Sequence, residues 1–537
     1  MPESSSESTT ARLRQEQDLS AFAPLRWPVF RMLWFTWLAA NTTMWMNDVA
    51  AAWLMTSLAP SPLWVALVQT ASTLPVFLLG LPSGAMADIL DRKRYFLLTQ
   101  FWVAIIAAVL CAAVVMGWMN APLLLALTFA NGIGLAMRWP VFAALIPEVV
   151  PRPQLPAALA LNGVSMNSSR IIGPLVAGAL IAGAGIEWVF VLNAMLSLTA
   201  AFVIMRWRRE HRESPLGRER LSSAMRVGLQ FVRQSQRMRA MLLRVFLFFL
   251  HSTALLALLP LLARALPGGA AGTFTLLLAA MGAGAIVAAL LMPRIRRWLP
   301  LERLILAGTV LQSAAALAVA WAPSIHVAVP AMVLSGAAWI AVANSLTVAT
   351  QMALPDWVRA RGMSIYQMAL MGSTASGAAV WGSIATWTDI HTSVGIASVS
   401  SVLALLVAQR LLPDRGMEED LTPSREIKAP VAASPTGVGR VQVQIEFRID
   451  PARAAEFEAA MQESRRSRMR QGALEWELLH DLNEPARYIE QITDESWTEH
   501  LRRFDRVTTA DIALRDRKLA FHLGETSPLV SRYLLRN

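Results

Sequence analysis

The sequence is poor in charge and in cysteine for a chain of its length. Only 16% of the 537 residues are Asp, Glu, Lys or Arg, whereas 55% are hydrophobic. A soluble globular protein carries roughly 25% charged residues, so this composition argues against a soluble protein. Cys111 is the only cysteine, which excludes an intramolecular disulfide and a cysteine metal centre. We expect neither a metal site nor a cofactor.

Two further signals are missing. Residues 1–20 are rich in Ser, Thr, Glu and Gln and have no apolar core, so a cleavable signal peptide is not expected. The Gly-x-x-x-x-Gly-Lys-Ser/Thr motif of nucleotide-binding loops is absent from the sequence, so ATP is not the expected energy source. The net charge of +11 comes from Arg residues at the ends of apolar runs, which indicates membrane topology rather than nucleic-acid binding.

Long apolar runs dominate the first 412 residues. A helix needs about 20 such residues to cross a bilayer, and we predict twelve spans in two sets of six. The loops near 57–61, 118–121 and 183–187 are almost free of charge, whereas the intervening loops carry Arg clusters, so the positive-inside rule places both termini in the cytoplasm. The predicted spans are residues 31–56, 62–86, 95–117, 121–145, 157–183, 186–206, 241–266, 270–292, 302–322, 325–350, 361–387 and 389–411.

Changes in composition divide the chain into segments. Residues 207–240, between the two sets of spans, are rich in Arg. Within this segment, Met225, Gly228, Phe231 and Val232 recur at helical spacing, which predicts an amphipathic helix, either on the membrane surface or as a solvated linker. The last segment has the order β-α-β-β-α-β, which is ferredoxin-like. The predicted segments are a polar tail (1–25), two six-helix bundles (26–206 and 241–412), the basic loop between them (207–240), a linker (413–439) and the α+β domain (440–537).

Charged residues inside spans are few, so each is informative. Asp48 lies in the first span, where burial penalises its ionised form; it could carry a proton, or it could be a hydrogen-bonded structural acid. Arg138 precedes Pro140, which should kink the fourth span; it could pair with a carboxylate or bind an anionic substrate group. Uncharged candidates for a substrate cavity, with interhelical hydrogen bonding as the default alternative, are Asn41, Asn162, Asn344 and Tyr366.

A dense group of charges, Gly84-Ala-Met-Ala-Asp88-Ile-Leu-Asp91-Arg92-Lys93-Arg94, separates the second and third spans. Gly84 would allow a close helix approach, and the two Asp residues could accept hydrogen bonds at helix ends. The motif resembles the loop between helices 2 and 3 of the major facilitator superfamily, although Ile89 stands where the family has Arg. That resemblance implies that Asp88 and Arg92 stabilise the outward-facing state by contacts between the two halves across the cytoplasmic face.

Two further elements agree with this resemblance. Pro147-Glu148 recurs six spans later as Pro355-Asp356, each followed by an Arg (Arg152 and Arg359), which is typical of two related bundles; we interpret Glu148, Asp356 and Arg359 as structural or gating groups. Arg170-Ile-Ile-Gly173-Pro174-Leu-Val-Ala-Gly178 looks like the Gly-Pro element in helix 5 of the superfamily's antiporters, although Ala177 replaces a glycine. Packing explains the glycines but leaves Arg170 unexplained.

Within the superfamily, residues 25–412 resemble the bacterial transmembrane secretion effectors, a branch similar to the enterobactin exporter. The stretches that carry this resemblance include Leu145-Ile-Pro-Glu-Val-Val-Pro-Arg and Pro355-Asp-Trp-Val-Arg-Ala-Arg-Gly. The resemblance implies a transporter in the bacterial inner membrane that exports a siderophore or drug-like molecule in exchange for protons. An importer remains an alternative.

The C-terminal domain resembles the small dimeric barrels of the antibiotic-biosynthesis monooxygenase type, on the pattern Ser496-Trp-Thr-Glu-His500. This resemblance implies either a homodimer formed through the domain, a ligand-binding module, or an enzyme. The second functional hypothesis is therefore a membrane-tethered enzyme that acts on a quinone-like or transported compound. Deletion of the chain from residue 413 separates the two: export survives if the domain is accessory and is lost if the domain is coupled to transport.

Overall fold

The protein is represented by a computed structural model, which describes residues 22–59, 61–151, 154–206, 221–355, 357–412, 420–424, 426–427, 430 and 439–535. The helices before the first strand are α1 (Pro28–Leu58), α2 (Pro62–Ile89), α3 (Arg92–Val115), α4 (Ala121–Val149), α5 (Leu155–Gly183), α6 (Glu187–Arg206), α7 (Leu221–Gln234), α8 (Gln236–Ala265), α9 (Ala271–Trp298), α10 (Leu301–Ala320), α11 (Ile325–Met352), α12 (Arg359–Trp387) and α13 (Ile390–Leu411).

The predicted fold class is confirmed. Among the described helices, ten are long and apolar enough to cross a membrane: α2, α3, α4, α5, α6, α8, α9, α10, α11 and α13. The first and eleventh predicted spans correspond to α1 and α12, which are 31 and 29 residues long but are not among these ten. Each is long enough to cross a bilayer, and both contain polar residues, among them Asn41 and Asp48 in α1 and Tyr366 in α12.

Helix pairing in the first half is regular. Helix α2 packs along α4, α3 packs along α6, and α1 packs along α5 and α6. Helix α5 also packs along α9, which joins the two halves of the helical region. Glycines allow close backbone approach at three of these seams: Gly132 of α4 against α2, Gly173 of α5 against α1, and Gly178 of α5 against α9. Such close approach is expected because lipid offers little hydrophobic driving force between helices.

The charged group between the second and third spans forms a tighter connection than a loop. Helix α2 continues through Gly84 and Asp88 to Ile89, and α3 begins at Arg92. Asp91 is the N-cap residue of α3, and its Oδ1 accepts a hydrogen bond from the Arg94 backbone N–H at 2.8 Å. This cap satisfies one of the donors that a helix start leaves unpaired, as the sequence predicted for Asp91.

The chain forms two compact units. The first comprises residues 1–213, 244–346 and 367–407, and the second comprises residues 214–243, 347–366 and 408–537. A large apolar core in the first unit includes Met46, Leu258 and Leu277.

The second unit contains the C-terminal domain. Its elements are β1 (Val441–Arg448), α14 (Ala454–Arg470), β2 (Glu475–His480), β3 (Arg487–Asp494), α15 (Trp497–Asp505), α16 (Thr509–Leu519) and β4 (Leu529–Leu534). The strands form one antiparallel sheet in the order β2-β3-β1-β4, with Val443 opposite Ile492 on β3 and opposite Arg532 on β4. The element order agrees with the predicted α+β arrangement, apart from a second helix before β4.

Helix α7 belongs to this second unit and corrects the prediction for the basic segment. A helix forms where the spacing predicted one, but its apolar face is covered by protein rather than by lipid or solvent. Phe231 and Val232 are buried against Leu354 and Val358, which lie in and beside the connection between α11 and α12. On its other side, Arg226 donates to the Gly472 carbonyl at 3.2 Å and pairs with Glu495 at 2.7 Å.

Candidate functional site

Asp48 lies half-buried beyond the midpoint of α1. Its Oδ1 accepts a hydrogen bond from the Ser72 hydroxyl on α2 at 2.9 Å. Within the described residues, no Arg, Lys or His side chain lies within 4.0 Å of the carboxylate. An unpaired carboxylate in a low-dielectric region is stabilised by taking up a proton, so this group is suited to proton binding.

Arg138 is fully enclosed on α4. Its guanidinium donates to Gln100 Oε1 at 3.3 Å and to the Ala40 carbonyl at 3.4 Å, and it lies 5.2 Å from the centre of the Trp37 ring. The side chain is only 2% exposed. A cavity of about 10 Å³ lies beside it, which is room for about one water. Arg138 therefore holds α1, α3 and α4 together.

Arg170 occupies a different environment near the midpoint of α5. Its Cζ lies 4.0 Å from the centre of the Trp339 ring on α11 and 5.1 Å from that of Trp45 on α1. The side chain is half-buried. Trp339 was not a candidate in the sequence analysis, because one apolar residue on a uniformly apolar span carries no signal of its partner.

The helix-5 element is a close-packing surface. A Cβ at Gly173 would lie 2.5 Å from Trp45 Cβ and 2.9 Å from the Thr42 carbonyl oxygen on α1. A Cβ at Gly178 would overlap the Thr275 side chain on α9. Pro174 is buried between them. The two glycines therefore allow α5 to approach a helix of each half, whereas a Cβ at Gly163, on the same helix, would meet no atom within 4 Å.

The two halves meet along one end of the helical region. Arg264, at the end of α8, donates to the Thr56 carbonyl at 3.1 Å and to the Ser57 hydroxyl at 2.8 Å. The Thr386 hydroxyl of α12 accepts from the Leu63 backbone N–H at 3.2 Å. These contacts lie at the helix ends next to the uncharged loop near 57–61, so the two halves are hydrogen-bonded to each other at this end.

The remaining predicted gating residues are placed only in part. Gly84, Asp88 and Glu148 lie within helices α2 and α4, and their surroundings lie outside the described part of the chain, as does Asp356 altogether. Arg92 begins α3. Arg359 begins α12 and donates to the Leu354 carbonyl at 3.4 Å, which ties it to the connection that α7 covers.

The uncharged cavity candidates have different environments. Tyr366 is 1% exposed and its hydroxyl contacts the Thr347 hydroxyl at 2.8 Å, so it joins α11 to α12. Asn41 is 2% exposed, whereas Asn162 and Asn344 are half-buried. Within the described residues, Asn41 Nδ2 and Asn162 Oδ1 are buried without a hydrogen-bond partner, which leaves these two amides able to bind a polar ligand group.

Sequence reasoning missed an amide pair in the core of the first half. Asn193 Nδ2 on α6 donates to Asn47 Oδ1 on α1 at 3.4 Å, and the Ser197 hydroxyl donates to Asn193 Oδ1 at 3.3 Å. Asn47 is next to Asp48, and a neutral amide beside a carboxylate gives no sequence signal of a partner on a distant helix. Hydrogen bonds of this kind between side-chain amides on different helices fix the position of α1.

The C-terminal domain has its own buried charges. Glu490 pairs with Lys518 at 3.0 Å and with Arg468 at 3.6 Å. Burial alone would raise the pKa of Glu490, but these two cations outweigh it and hold the pKa well below its ordinary value. Asp494 accepts from Arg503 at 2.8 Å and from His500 Nδ1 at 2.8 Å, and its pKa is likewise lowered despite burial. His500 Nε2 in turn accepts from Arg532 at 3.3 Å, so both ring nitrogens have internal partners.

The long apolar helices define a multi-pass helical membrane protein. Residues 19–537 match the family model described as "Transmembrane secretion effector". The chain belongs to this family of the major facilitator superfamily. Its members and relatives are transporters rather than enzymes.

Curated relatives match over parts of the chain. It is 28% identical over 35% of its length to an uncharacterized transporter of the superfamily, YfiS of Bacillus subtilis. It is 20% identical over 48% of its length to the staphyloferrin A transporter of Staphylococcus aureus, and 26% identical over 34% to the putative multidrug resistance protein MdtD of Escherichia coli. The matched stretches cover 46%, 64% and 37% of those proteins, less than two thirds of each.

Solved structures agree on the fold. The nucleoside transporter NupG superimposes with a TM-score of 0.59 at 12% identity, covering 72% of this chain and 99% of that structure. A bacterial homolog of the lysosomal transporter Spinster gives a TM-score of 0.57 at 16% identity over 72% and 96% of the two chains. At these identities the likeness concerns the fold alone.

Proposed function

We propose that the protein is a proton-coupled exporter of a small amphipathic molecule, siderophore-like or drug-like, in a bacterial inner membrane. The observation that carries the proposal is the environment of Asp48, a carboxylate in the middle of a helix bundle with only the Ser72 hydroxyl as hydrogen-bond donor among the described residues. A charge in that position is expensive and is typical of ion pathways. The relatives described above as a siderophore transporter and a multidrug resistance protein support the substrate class.

Alternating access explains how the proton would act. Asp48 is one helical turn beyond Trp45 on α1, and Trp45 packs against Gly173 of α5. Protonation of Asp48 changes the electrostatic cost of one arrangement of α1 relative to the other, which shifts the balance between two conformations. With the Arg clusters in the cytoplasm, both termini are cytoplasmic, and the end at which Arg264 bonds the first half is periplasmic.

Replacement of Asp48 tests the proposal. Everted membrane vesicles carrying Asp48→Asn should contain normal amounts of protein but should accumulate none of the compounds that wild-type vesicles take up when a proton gradient is imposed. Ser72→Ala is the matched control, because it removes the hydrogen bond and keeps the carboxylate. Proton-driven accumulation by Asp48→Asn with the pH dependence of the wild type would exclude Asp48 as the proton carrier.

The C-terminal domain is proposed to be a dimerisation module. Strand β4 is an edge strand that pairs on one side with β1, and it exposes Leu529 (67%), Val530 (41%) and Tyr533 (50%). An exposed apolar edge is a template for pairing with another strand, and a second copy supplies an identical one. Light scattering of the detergent-solubilised chain should show a dimer that Val530→Lys converts to a monomer; an unchanged mass would contradict this.

A further inference from the structure

The middle of the helical region carries an excess of positive charge. In the central parts of the described spans, the ionisable groups are Asp48, Arg138 and Arg170, apart from the His251 imidazole. Neither Arg forms an ion pair within 4.0 Å with a described carboxylate. A cation held in a low-dielectric region without an anion is costly, so one of the two arginines needs either strong internal partners or an external anion.

Arg138 has the internal partners. Its guanidinium is bonded to Gln100 and to the Ala40 carbonyl, and its enclosure leaves space for no more than about one water. No substrate group can reach it without unpacking α1 from α4.

Arg170 has aromatic partners instead. At 4.0 Å from the ring centre, its guanidinium lies against the face of Trp339, with Trp45 at 5.1 Å. Rings stabilise the charge through the face of the guanidinium, whereas the N–H donors lie in its plane and point away from the ring. No described residue accepts a hydrogen bond from Arg170 within 3.5 Å, so this planar set of donors is left for a ligand.

The position of Arg170 suits a substrate-binding group. Trp45 is near the midpoint of α1 in the first half, and Trp339 is near the midpoint of α11 in the second half. Transporters of this architecture bind substrate near the bilayer midplane, between the repeats. A ligand held by Arg170 would therefore contact a cation that touches both halves.

We propose that Arg170, held between Trp45 and Trp339, binds an anionic group of the substrate, which makes the protein selective for carboxylate-bearing or similarly anionic compounds. The guanidinium donates two parallel hydrogen bonds to the planar anion, and the two rings keep it oriented. This deepens the proposed function by naming the substrate class, and it rests on the same pathway.

Binding to the purified full-length protein in detergent tests the proposal without any gradient. Thermal unfolding is followed with benzoate, salicylate, citrate or inorganic phosphate, each at the same millimolar concentration. Benzamide and salicylamide serve as neutral analogues, and sodium chloride at matched ionic strength controls for the effect of salt. At least one anion should raise the unfolding temperature, and its neutral analogue should not. Arg170→Gln should weaken that binding by roughly tenfold or more, the loss of hydrogen bonds to a charged group.

Two further variants keep the test informative if Arg170→Gln folds poorly. Arg170→Lys retains the charge without the planar donors and should bind more weakly than the wild type. Arg264→Gln is the matched control, because Arg264 also lies over a Trp of α1, at 4.8 Å from Trp53, but donates to Thr56 and Ser57; it should retain anion binding.

The outcomes separate this inference from the proposed function. Anion-selective stabilisation that Arg170→Gln removes and Arg264→Gln keeps supports the inference, even if Asp48→Asn later proves neutral and proton coupling fails. Stabilisation by none of the anions, equal stabilisation by the amides, or anion binding that survives in Arg170→Gln overturns it, even if proton-driven export of other compounds is observed.

Discussion

The contact between Gly178 and Thr275 gives a quantitative prediction about transport. A methyl group at Gly178 would overlap the Thr275 side chain, where α5 of the first half meets α9 of the second. Overpacking of such a seam costs about 1–3 kcal/mol. If the halves separate here during alternating access, Gly178→Ala penalises only the closed arrangement, whereas the gain of about 0.8–1 kcal/mol in helix propensity applies to both. The equilibrium should therefore shift roughly 5- to 150-fold toward the arrangement open at this end.

Uptake by everted vesicles measures this shift. Gly178→Ala should slow proton-driven accumulation severalfold or more, because one of the two required states becomes rare. Gly163→Ala on the same helix, where the added methyl group meets nothing within 4 Å, should accumulate substrate at the wild-type rate. Combining Gly178→Ala with Thr275→Gly removes the overlapping atoms and should restore transport. Equal rates for Gly178→Ala and Gly163→Ala would refute the reasoning.

Three further predictions concern the gate and the C-terminal domain. Asp88→Ala should lower the maximal rate of export more than it weakens substrate binding, measured as separate changes in Vmax and KM; a change in KM alone would contradict a conformational role. Glu490→Gln should destabilise the C-terminal domain by about 3–5 kcal/mol, because it leaves Lys518 buried without its anion; limited proteolysis of the full chain should then cleave within residues 440–537, and unchanged resistance would count against the pair. The pKa of Glu490 and that of Asp494 are both lowered in the folded domain. The stability that their ionised forms give the domain should therefore be complete above the ordinary carboxyl pKa of about 4 and should decrease as the pH falls below it. Limited proteolysis from neutral to acid pH should show resistance lost only on the acid side.

Much of the membrane architecture could be predicted from the sequence because span length and loop charge are local signals. The cap formed by Asp91 was predictable for the same reason. The partners of Arg170 were not, because Trp45 and Trp339 come from helices almost 300 residues apart and neither differs in pattern from an anchoring tryptophan. The hydrogen bond from Arg138 to Gln100 could not be predicted either. This internal partner distinguishes Arg138 from Arg170, although both appear in the sequence as a lone Arg in an apolar span.

The basic segment shows a different limit. The spacing of Phe231 and Val232 predicted a helix with one apolar face, but it did not predict what covers that face. A periodic apolar pattern predicts that one face of a helix is buried, but it does not distinguish burial by lipid from burial by protein. The structure supplies Leu354 and Val358 as the partners.

Helix α7 is part of the segment that tethers the two halves of the transporter to each other. The C-terminal domain binds this helix through hydrogen bonds from Arg226 and Gln230 to its backbone carbonyls. Dimerisation through the C-terminal domain would therefore act directly on a helix of this connecting segment.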